Sequence, residues 1–490
     1  MLFGEIELPG RPDLGNVRKL DLLPIPMIRR MQRLGMAVDR DYFHQLSFEF
    51  AAEMQALERD IASYIPPERL HEFTGRASTI EQEEGDSTIN AASAEQIGKL
   101  LFEMLGVGIG KRLKTTKQGR ISTDKKQLRD LELEHPVVGL VLEYRERAKL
   151  KSTYTEGLPA AGRFHPRGPC CPVCELPHRA DTWRVHTEIT TTRTETGRLS
   201  SKNPNLQNIP QRTELGAKVR AGFIASPGTK LVSVDLSQIE LRVMAHLSKD
   251  PSMVQAYRDG KDIHSQTAMQ CFGITDESKL DKISHRIPAK VSNFLCMYQG
   301  GGKALYAQLL MAFLILINER KLDKVPEWLS ISWCDGFIVD WFAARAGVRQ
   351  YLDNQAYRAR RYGLVWDPFG RIRLVPEVRS CHSWIKEAGV RQAGNMPDQS
   401  MAAGIMKIIM AMVDELLLEM WDGGRGIWCW PLLPVHDQLI LEVEEDYAET
   451  VKIATMERFD SAMRDVDNGE WRFEVPLGSD GEVLDRWKKG

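Results

Sequence analysis

The sequence predicts an α+β protein in which a sheet carrying acidic residues at its edge is interrupted by helical insertions. Three observations predict it. The first 160 residues are dominated by apolar residues at three- and four-residue intervals, the period of amphipathic helices. A short β-like run, Leu231 to Val234, ends at Asp235. Near the C-terminus LLPVHDQLILEV reads as two apolar strands meeting at a polar turn that holds Asp437.

Taken in order, Ile28, Met31 and Leu34, then Phe43, Leu46, Phe50, Met54, Leu57 and Ile61, predict two helices. Thr74 to Thr88 is polar and reads as a loop, and Asn90 to Leu105 resumes the helical period. Around Pro159 the texture turns to Gly, Pro, Cys and Thr, which marks a boundary. Residues 250 to 385 read as mainly helical, GRIRLV at 370 to 375 alternates like a strand, and a glycine- and tryptophan-rich loop spans Trp421 to Trp430. No repeat or low-complexity tract is evident.

Composition bounds the function. With 490 residues, 43% hydrophobic and 27% charged, the chain can bury two or three cores, and disorder and collagen-like repeats are excluded. Eight irregularly spaced cysteines and an N-terminus without a charged then apolar leader predict a reducing, cytoplasmic setting. The longest apolar run, Leu309 to Ile317, falls well short of the roughly 20 residues that span a bilayer, so it is expected in a core. Net charge is −2, yet Lys111 to Lys126 holds seven basic residues and one acidic, and YRERAKLK clusters Arg145, Arg147, Lys149 and Lys151. Such stretches either track phosphates or form solvated faces.

Asp235 falls where a strand gives way to a helix, and Asp437 at a hairpin tip. Each alone is equally a helix cap or a turn residue. Between them, HRIPAKVSNFLCMYQGGG places Arg286, Lys290, Phe294 and Tyr298 at four-residue spacing, a helical column about 18 Å long with cations first and rings after. A nucleoside triphosphate has the same order, charge and then ring. Pro288 requires a helix start near Ser284, and Gly300, Gly301 and Gly302 are expected to end the helix. A helix with a basic tip and aromatic core contacts is the alternative.

These residues resemble the motifs of family A DNA polymerases, the family of bacterial DNA polymerase I and related bacteriophage replicases. KLKSTYTEGLP at 149–159 resembles the end of the family's thumb, and TETGRLSSKNPNLQNIP at 194–210 its primer-template segment. DLSQIELR resembles motif A, RIPAKVSNFLCMYQGG motif B and VHDQL motif C. The resemblance runs from near residue 20 to the C-terminus and implies a right hand: N-terminal segment and thumb 1–160, first part of the palm 161–248, helical fingers 249–385, and second part of the palm, completing an antiparallel sheet, 386–490.

The function it implies is template-directed addition of deoxynucleotides to a primer on DNA, with two Mg²⁺ held by Asp235, Asp437 and the main-chain carbonyl of Leu236. Arg286 and Lys290 would grip the triphosphate, Lys290 also donating a proton to the leaving group. His264 would add a phosphate contact, and Gln238 would line the nucleotide site. Phe294 would stack on sugar and base, Tyr298 would gate the templating position, and Glu240 would exclude a 2′-hydroxyl. Arg198, Asn205, Gln207, Asn208, Arg391, Asn395 and Gln399 would touch the duplex minor groove, whose shared acceptors report pair geometry rather than sequence. His436 would lie beside the primer terminus. A single-subunit RNA polymerase and a non-catalytic primed-DNA-binding replisome subunit are the rival readings. Glu240 and the thumb-like text oppose the first, and Asp235, Asp437, Arg286 and Lys290 oppose the second.

Departures from the family pattern are Leu236 in place of a tyrosine, Gln438 in place of a glutamate, Gln299 after Tyr298, and an insertion, RFHPRGPCCPVCELPHRADTW. In that insertion Cys171, Cys174 and His178 have metal-ligand spacing, with Cys170, His165 or His186 to complete a zinc tetrahedron. A reduced, proline-bounded loop is the other reading. The thumb-like text begins near Leu22, which leaves no room ahead of it for a proofreading domain of very roughly 200 residues. Asp130-Leu131-Glu132 copies the opening of an exonuclease motif but continues a helical period, so it is expected to be a decoy and excision to be absent.

Overall fold

Asp39 starts the long helix Arg40–Ala62 by accepting the N–H of Tyr42 at 2.9 Å, and the predicted stripe of Phe43, Leu46, Phe50, Met54, Leu57 and Ile61 is buried along it. Each such side chain contributes about 2 kcal/mol. The other expected N-terminal helix is Ile25–Leu34. This is a computed structural model that describes residues 11–73, 89–132, 134–210, 213–318, 321–422, 426–464 and 473–488. The loop expected at 74–88 and residues 423–425 of the tryptophan-rich loop lie outside them.

The chain forms two compact units, the smaller made of Arg33–Thr187, Asn203–Gly228 and Leu484–Gly490. Its helical core joins the lower half of Arg40–Ala62 to the helices Lys125–Leu131 and Pro136–Leu150 through Leu128, Val137, Val138, Val141 and Tyr144. Pro136 sits in the first turn, where its missing N–H costs nothing. A small antiparallel sheet has strands β1 (Met36–Ala37), β2 (Arg163–His165) and β3 (Thr182–Val185) in the order β1-β3-β2. Part of the YRERAKLK cluster is used internally. Arg145 donates to the carbonyl of Thr123, Arg147 pairs with Glu53 and Glu143, and Lys151 pairs with Glu156. These three cations thus have partners within the chain.

The larger unit comprises Met1–Gln32, Glu188–Lys202 and Thr229–Val483. Two of its hairpins are β4 (Glu188–Thr190) with β5 (Ser200–Lys202), and, after the long β6 (Thr229–Leu236), β7 (Leu364–Trp366) with β8 (Ile372–Leu374). The predicted C-terminal hairpin is β9 (Cys429–Val435) and β10 (Gln438–Glu444), and β11 (Ser479–Leu484) closes a four-stranded sheet ordered β11-β6-β10-β9. The described residues from 250 to 385 are mainly helical apart from β7 and β8, as expected. Leu295, Leu309, Phe313, Cys334, Phe337 and Trp341 form a core there, and Trp341 donates its indole N–H to Asn293 at 2.6 Å.

The apolar run Leu309 to Ile317 lies in the helix Gly302–Asn318 and buries Leu309, Phe313 and Leu316 while exposing Ile315. Among the described residues no helix is long and apolar enough to cross a membrane. Behind the sheet, the helix Ser383–Trp421 seals Lys407, whose ammonium donates to Asp21 at 2.6 Å and to the carbonyl of Thr191 at 3.2 Å. Arg371 bonds the same carboxylate oxygen at 2.5 Å. Burial pushes the Lys407 ammonium down to about 8 against the pull of Asp21.

Candidate active site

Strand β6 continues one residue past Asp235, to Leu236, so the aspartate lies just inside the strand rather than at its end. Asp235 faces Gln438 across β6 and β10, and the Leu236 N–H donates to the carbonyl of Asp437 at 3.1 Å. Register therefore brings together, at one end of the sheet, two aspartates that lie far apart in the chain. His436 makes the turn between β9 and β10 with φ +58, a left-handed conformation uncommon outside glycine, and its ring is exposed there. Burial pushes the Asp437 carboxyl up and the Glu240 carboxylate adds to it, while His436 and Arg198 pull the other way. Gln438 is buried and donates to Ser233 at 2.6 Å. That side chain is committed to the sheet, and a glutamate in its place would be a buried charge.

The turn from β6 into the helix Ile239–Ser248 is made by Gln238, with φ 55. Its amide accepts from Tyr257 at 3.0 Å and donates to Asp262 at 2.9 Å. Asp262 in turn caps the helix Ile263–Phe272 and accepts from Arg286 Nε at 2.7 Å. Burial pushes the Asp262 carboxyl up, but hydrogen bonds from Arg286, Ser265 and Gln238 outweigh it and hold the group well below the carboxylate range. His264 is buried, with Nδ1 2.9 Å from the Asn293 amide nitrogen. Burial lowers it to about 4, so the ring is neutral at physiological pH.

Glu240 is a second junction. It pairs with Arg198, accepts from the Tyr298 hydroxyl at 2.6 Å, and Tyr298 accepts from Gln399 at 3.2 Å. Four predicted site residues from four segments are thus joined directly. Arg391 is exposed and Asn395 half-buried on the Ser383–Trp421 helix that carries Gln399.

The predicted column is less regular than four-residue spacing implies. Residues Lys282–Arg286 form a wider π turn, the α-helix runs Ile287–Met297 with Pro288 in its first turn, and Tyr298 lies just past its end. Lys290 is exposed and Phe294 half-buried, its ring 5.9 Å from His264. Gln299, with φ 56, turns the chain, and Gly302 opens the next helix instead of closing this one. Gly394 lies against the Gln299 side chain, where a Cβ would fall 2.2 Å from its amide nitrogen.

The remaining predicted residues belong to the smaller unit. Asn205 accepts the backbone N–H of Gln207 and of Asn208, both at 3.1 Å, Gln207 is buried, and the Asn208 carbonyl accepts from Tyr154. In the insertion Cys171, Cys174 and His178 meet His165, whereas Cys170 is exposed.

Sequence reasoning missed Asp262, Tyr257 and Asp398. Asp262 carried a signal, because DIHS is an N-cap followed three residues later by a hydroxyl. Asp398 is buried beside the ladder residue Gln399, with Oδ1 unbonded among the described residues. Burial and then Glu240 push its carboxyl well up, opposed by Arg198.

The family model for DNA polymerase family A matches residues 41–489. The chain is 35% identical over 462 residues to a thermostable DNA polymerase I of Thermus thermophilus, covering 94% of this chain and 47% of that protein. It is 34% identical over 454 residues to DNA polymerase I of Deinococcus radiodurans, covering 92% and 40%. The chain thus spans about half the length of such relatives or less. Among solved structures, the POL domain of Pol1 from M. smegmatis, in complex with DNA primer-template and dNTP, superposes with a TM-score of 0.73 at 29% identity, covering 95% of this chain and 70% of that one.

Proposed function

Because the chain belongs to DNA polymerase family A and has the α+β fold of a right-hand polymerase, we propose that it adds deoxynucleotides to a primer 3′-hydroxyl as a DNA template directs. The observation that carries this reading is the register that sets Asp235 beside the Asp437 turn. The donor set fits hard divalent cations. Two carboxylates and the Leu236 carbonyl are oxygen ligands, and the half-buried Asp437, pushed up by its surroundings, is a carboxylate that a cation would stabilise. Two Mg²⁺ held there would lower the pKa of the primer hydroxyl and neutralise charge on the departing pyrophosphate.

This chain's own residues do the positioning, which dominates phosphoryl transfer. Asp262 fixes Arg286 through Nε, so that the rest of the guanidinium can meet the triphosphate, and Gln238 steadies Asp262. Lys290 grips the phosphates and moves a proton to pyrophosphate. Neutral His264 donates to a phosphate oxygen. Phe294 stacks on the incoming nucleotide, and Tyr298 gates the templating base. Glu240, held by Arg198 and Tyr298, occupies the room a 2′-hydroxyl would need. Arg391, Asn395, Gln399, Asn205, Gln207 and Asn208 meet the minor groove, and His436 the primer end. In this reading residues 1–160 contain the thumb, 161–248 and 386–490 the palm, and 249–385 the fingers. The setting is the cytoplasm of a cell or of a virus's host.

Excision is no part of the proposal. Asp130 is exposed on the helix Lys125–Leu131 and Glu132 caps its end, which is not the strand-borne acidic cluster that an exonuclease needs.

Primer extension with deoxy- and ribonucleotides in parallel tests the reading. Wild type should extend with deoxynucleotides in Mg²⁺, and Asp235→Asn should bind primed DNA but not extend it. Preference for ribonucleotides, or extension by Asp235→Asn at more than about a tenth of the wild-type rate, a barrier change below about 1.4 kcal/mol, overturns it.

A further inference from the structure

Strands β2 and β3 are joined by the insertion, which folds as a short hairpin of its own. Gly168 and His178 pair across it through two backbone hydrogen bonds of 3.0 and 2.8 Å. At its tip Cys171-Pro-Val-Cys174 makes a tight turn. Glu175 donates to the Cys171 carbonyl at 2.7 Å with φ 56, the Cys171 N–H donates to Leu176, and the Val173 N–H points at Cys171 Sγ at 3.4 Å. Pro166, Pro169, Pro172 and Pro177 lower the cost of ordering so short a loop.

The turn presents both sulfurs to two imidazoles. Sγ of Cys171 and Cys174, Nδ1 of His165 and Nε2 of His178 all lie within 4.8 Å of one another. His165 Nδ1 is 3.3 Å from His178 Nε2 and 3.5 Å from Cys171 Sγ, and Cys174 Sγ is 3.1 Å from His178 Nε2. A tetrahedral ion with metal–sulfur bonds of about 2.3 Å and metal–nitrogen bonds of about 2.05 Å requires N–N edges near ~3.3 Å and S–N edges near ~3.5 Å. The fit is close on two edges and tight on the third.

Chemistry agrees with distance. The second nitrogen of His165, Nε2, is 2.9 Å from Nε2 of His186. If it donates there, Nδ1 turns a lone pair toward the other three donors, an arrangement that a cation stabilises and an empty loop does not. An outer partner of this kind is the usual companion of a ligating histidine. All four donors are buried, at 0% for His165 and Cys171, 3% for Cys174 and 4% for His178, so no position is open to a substrate. Arg33 fastens the turn from outside, donating to the Cys174 carbonyl at 2.9 Å.

We propose that His165, Cys171, Cys174 and His178 bind one Zn²⁺ in a closed structural site, oriented by His186, that staples the insertion hairpin to β2 and β3. Neighbouring Cys170 is not a ligand. The site is independent of nucleotide chemistry and does not rest on the polymerase reading.

Full-length protein from zinc-replete culture should carry one zinc per chain by elemental analysis. After chelation, Co²⁺ should restore one equivalent with the visible bands of a tetrahedral, thiolate-bearing ion. Cys174→Ser and His165→Gln should each lose the bound metal, Cys170→Ser should keep it, and His186→Phe should keep the stoichiometry while weakening affinity by about ten- to a hundredfold. Since a ligand variant can fail for reasons of folding, the wild-type and Cys170→Ser measurements stand on their own. Wild type without zinc or cobalt uptake, or Cys170→Ser losing the metal while His165→Gln keeps it, overturns the assignment.

Discussion

The aspartate pair and the cysteine-histidine cluster are both sets of candidate metal donors, but they are built in opposite ways. Asp235 and Asp437 come from segments far apart in the chain, are joined by sheet register, and sit at one end of the sheet, Asp235 just inside β6 and Asp437 in the turn before β10. The cluster gathers its donors within one hairpin and seals all four from solvent. Hard oxygen donors at a sheet end suit ions that must also meet a substrate, whereas soft donors in a closed shell suit an ion that holds structure. Burial and accessibility, more than residue type, separate a site that reacts from one that stabilises.

The largest expected effect breaks the comparison if it fails. Asp437→Asn should cut nucleotide addition by about a thousandfold, as removal of a preorganised electrostatic group does. Single-turnover addition measures it, and a loss of less than tenfold would make this carboxylate no more essential than the cluster. Next comes Glu240→Ala, which should raise ribonucleotide relative to deoxynucleotide use by about ten- to a hundredfold. Competition kinetics give the ratio, and because Glu240 anchors Tyr298 and Arg198, Tyr298→Phe should reproduce only a part of the shift. An unchanged ratio in Glu240→Ala removes the residue from the sugar site.

Phe294→Tyr should improve incorporation of 3′-deoxy analogues roughly three- to tenfold, the worth of one added hydrogen bond of about 1 kcal/mol. Equal discrimination in both proteins would place the ring away from the sugar. The smallest effects sharpen the contrast. Cys174→Ser should leave the addition rate in Mg²⁺ within about twofold of wild type while lowering thermal stability, since an interaction made equally in ground and transition states does not change the barrier. A mismatched primer incubated without nucleotides should stay intact in wild type and in Asp130→Ala alike. Shortening that Asp130→Ala abolishes would reverse the decoy reading.

Much of this was legible because local pattern and chemistry coincide. A β-like run ending at an acid, a hairpin with an acid at its tip, and a column of two cations and two rings kept their order in the structure. What stayed hidden depended on tertiary acceptors. Nothing in Gln238 or Arg286 announces that Asp262 will join them, and Asp398 differs from an ordinary helix aspartate only in what surrounds it. Spacing also left Cys170, His165 and His186 as equal candidates for the fourth cluster position. The backbone decides, because His165 ends β2 opposite Thr182 and turns inward, while Cys170 faces solvent. The helix after Arg286 stops ahead of its glycine run as expected, with Gln299 taking the left-handed turn and the Gly300 N–H closing back on the Leu295 carbonyl, and only Gly302 departs from the expectation by opening the next helix.

The charge triad of Asp21, Lys407 and Arg371 bears on where a minimal folding fragment can begin. Thumb-like text starts after Asp21, so a fragment trimmed to that text would look complete on paper. It would leave Lys407 sealed behind the sheet with its carboxylate gone, and breaking a buried pair from one side costs about 3–5 kcal/mol. Against a typical total stability of about 5–15 kcal/mol, the loss would exhaust much of the margin. The helix Leu14–Leu22, which lacks any recognisable motif, thus supplies through Asp21 the partner that the buried Lys407 needs.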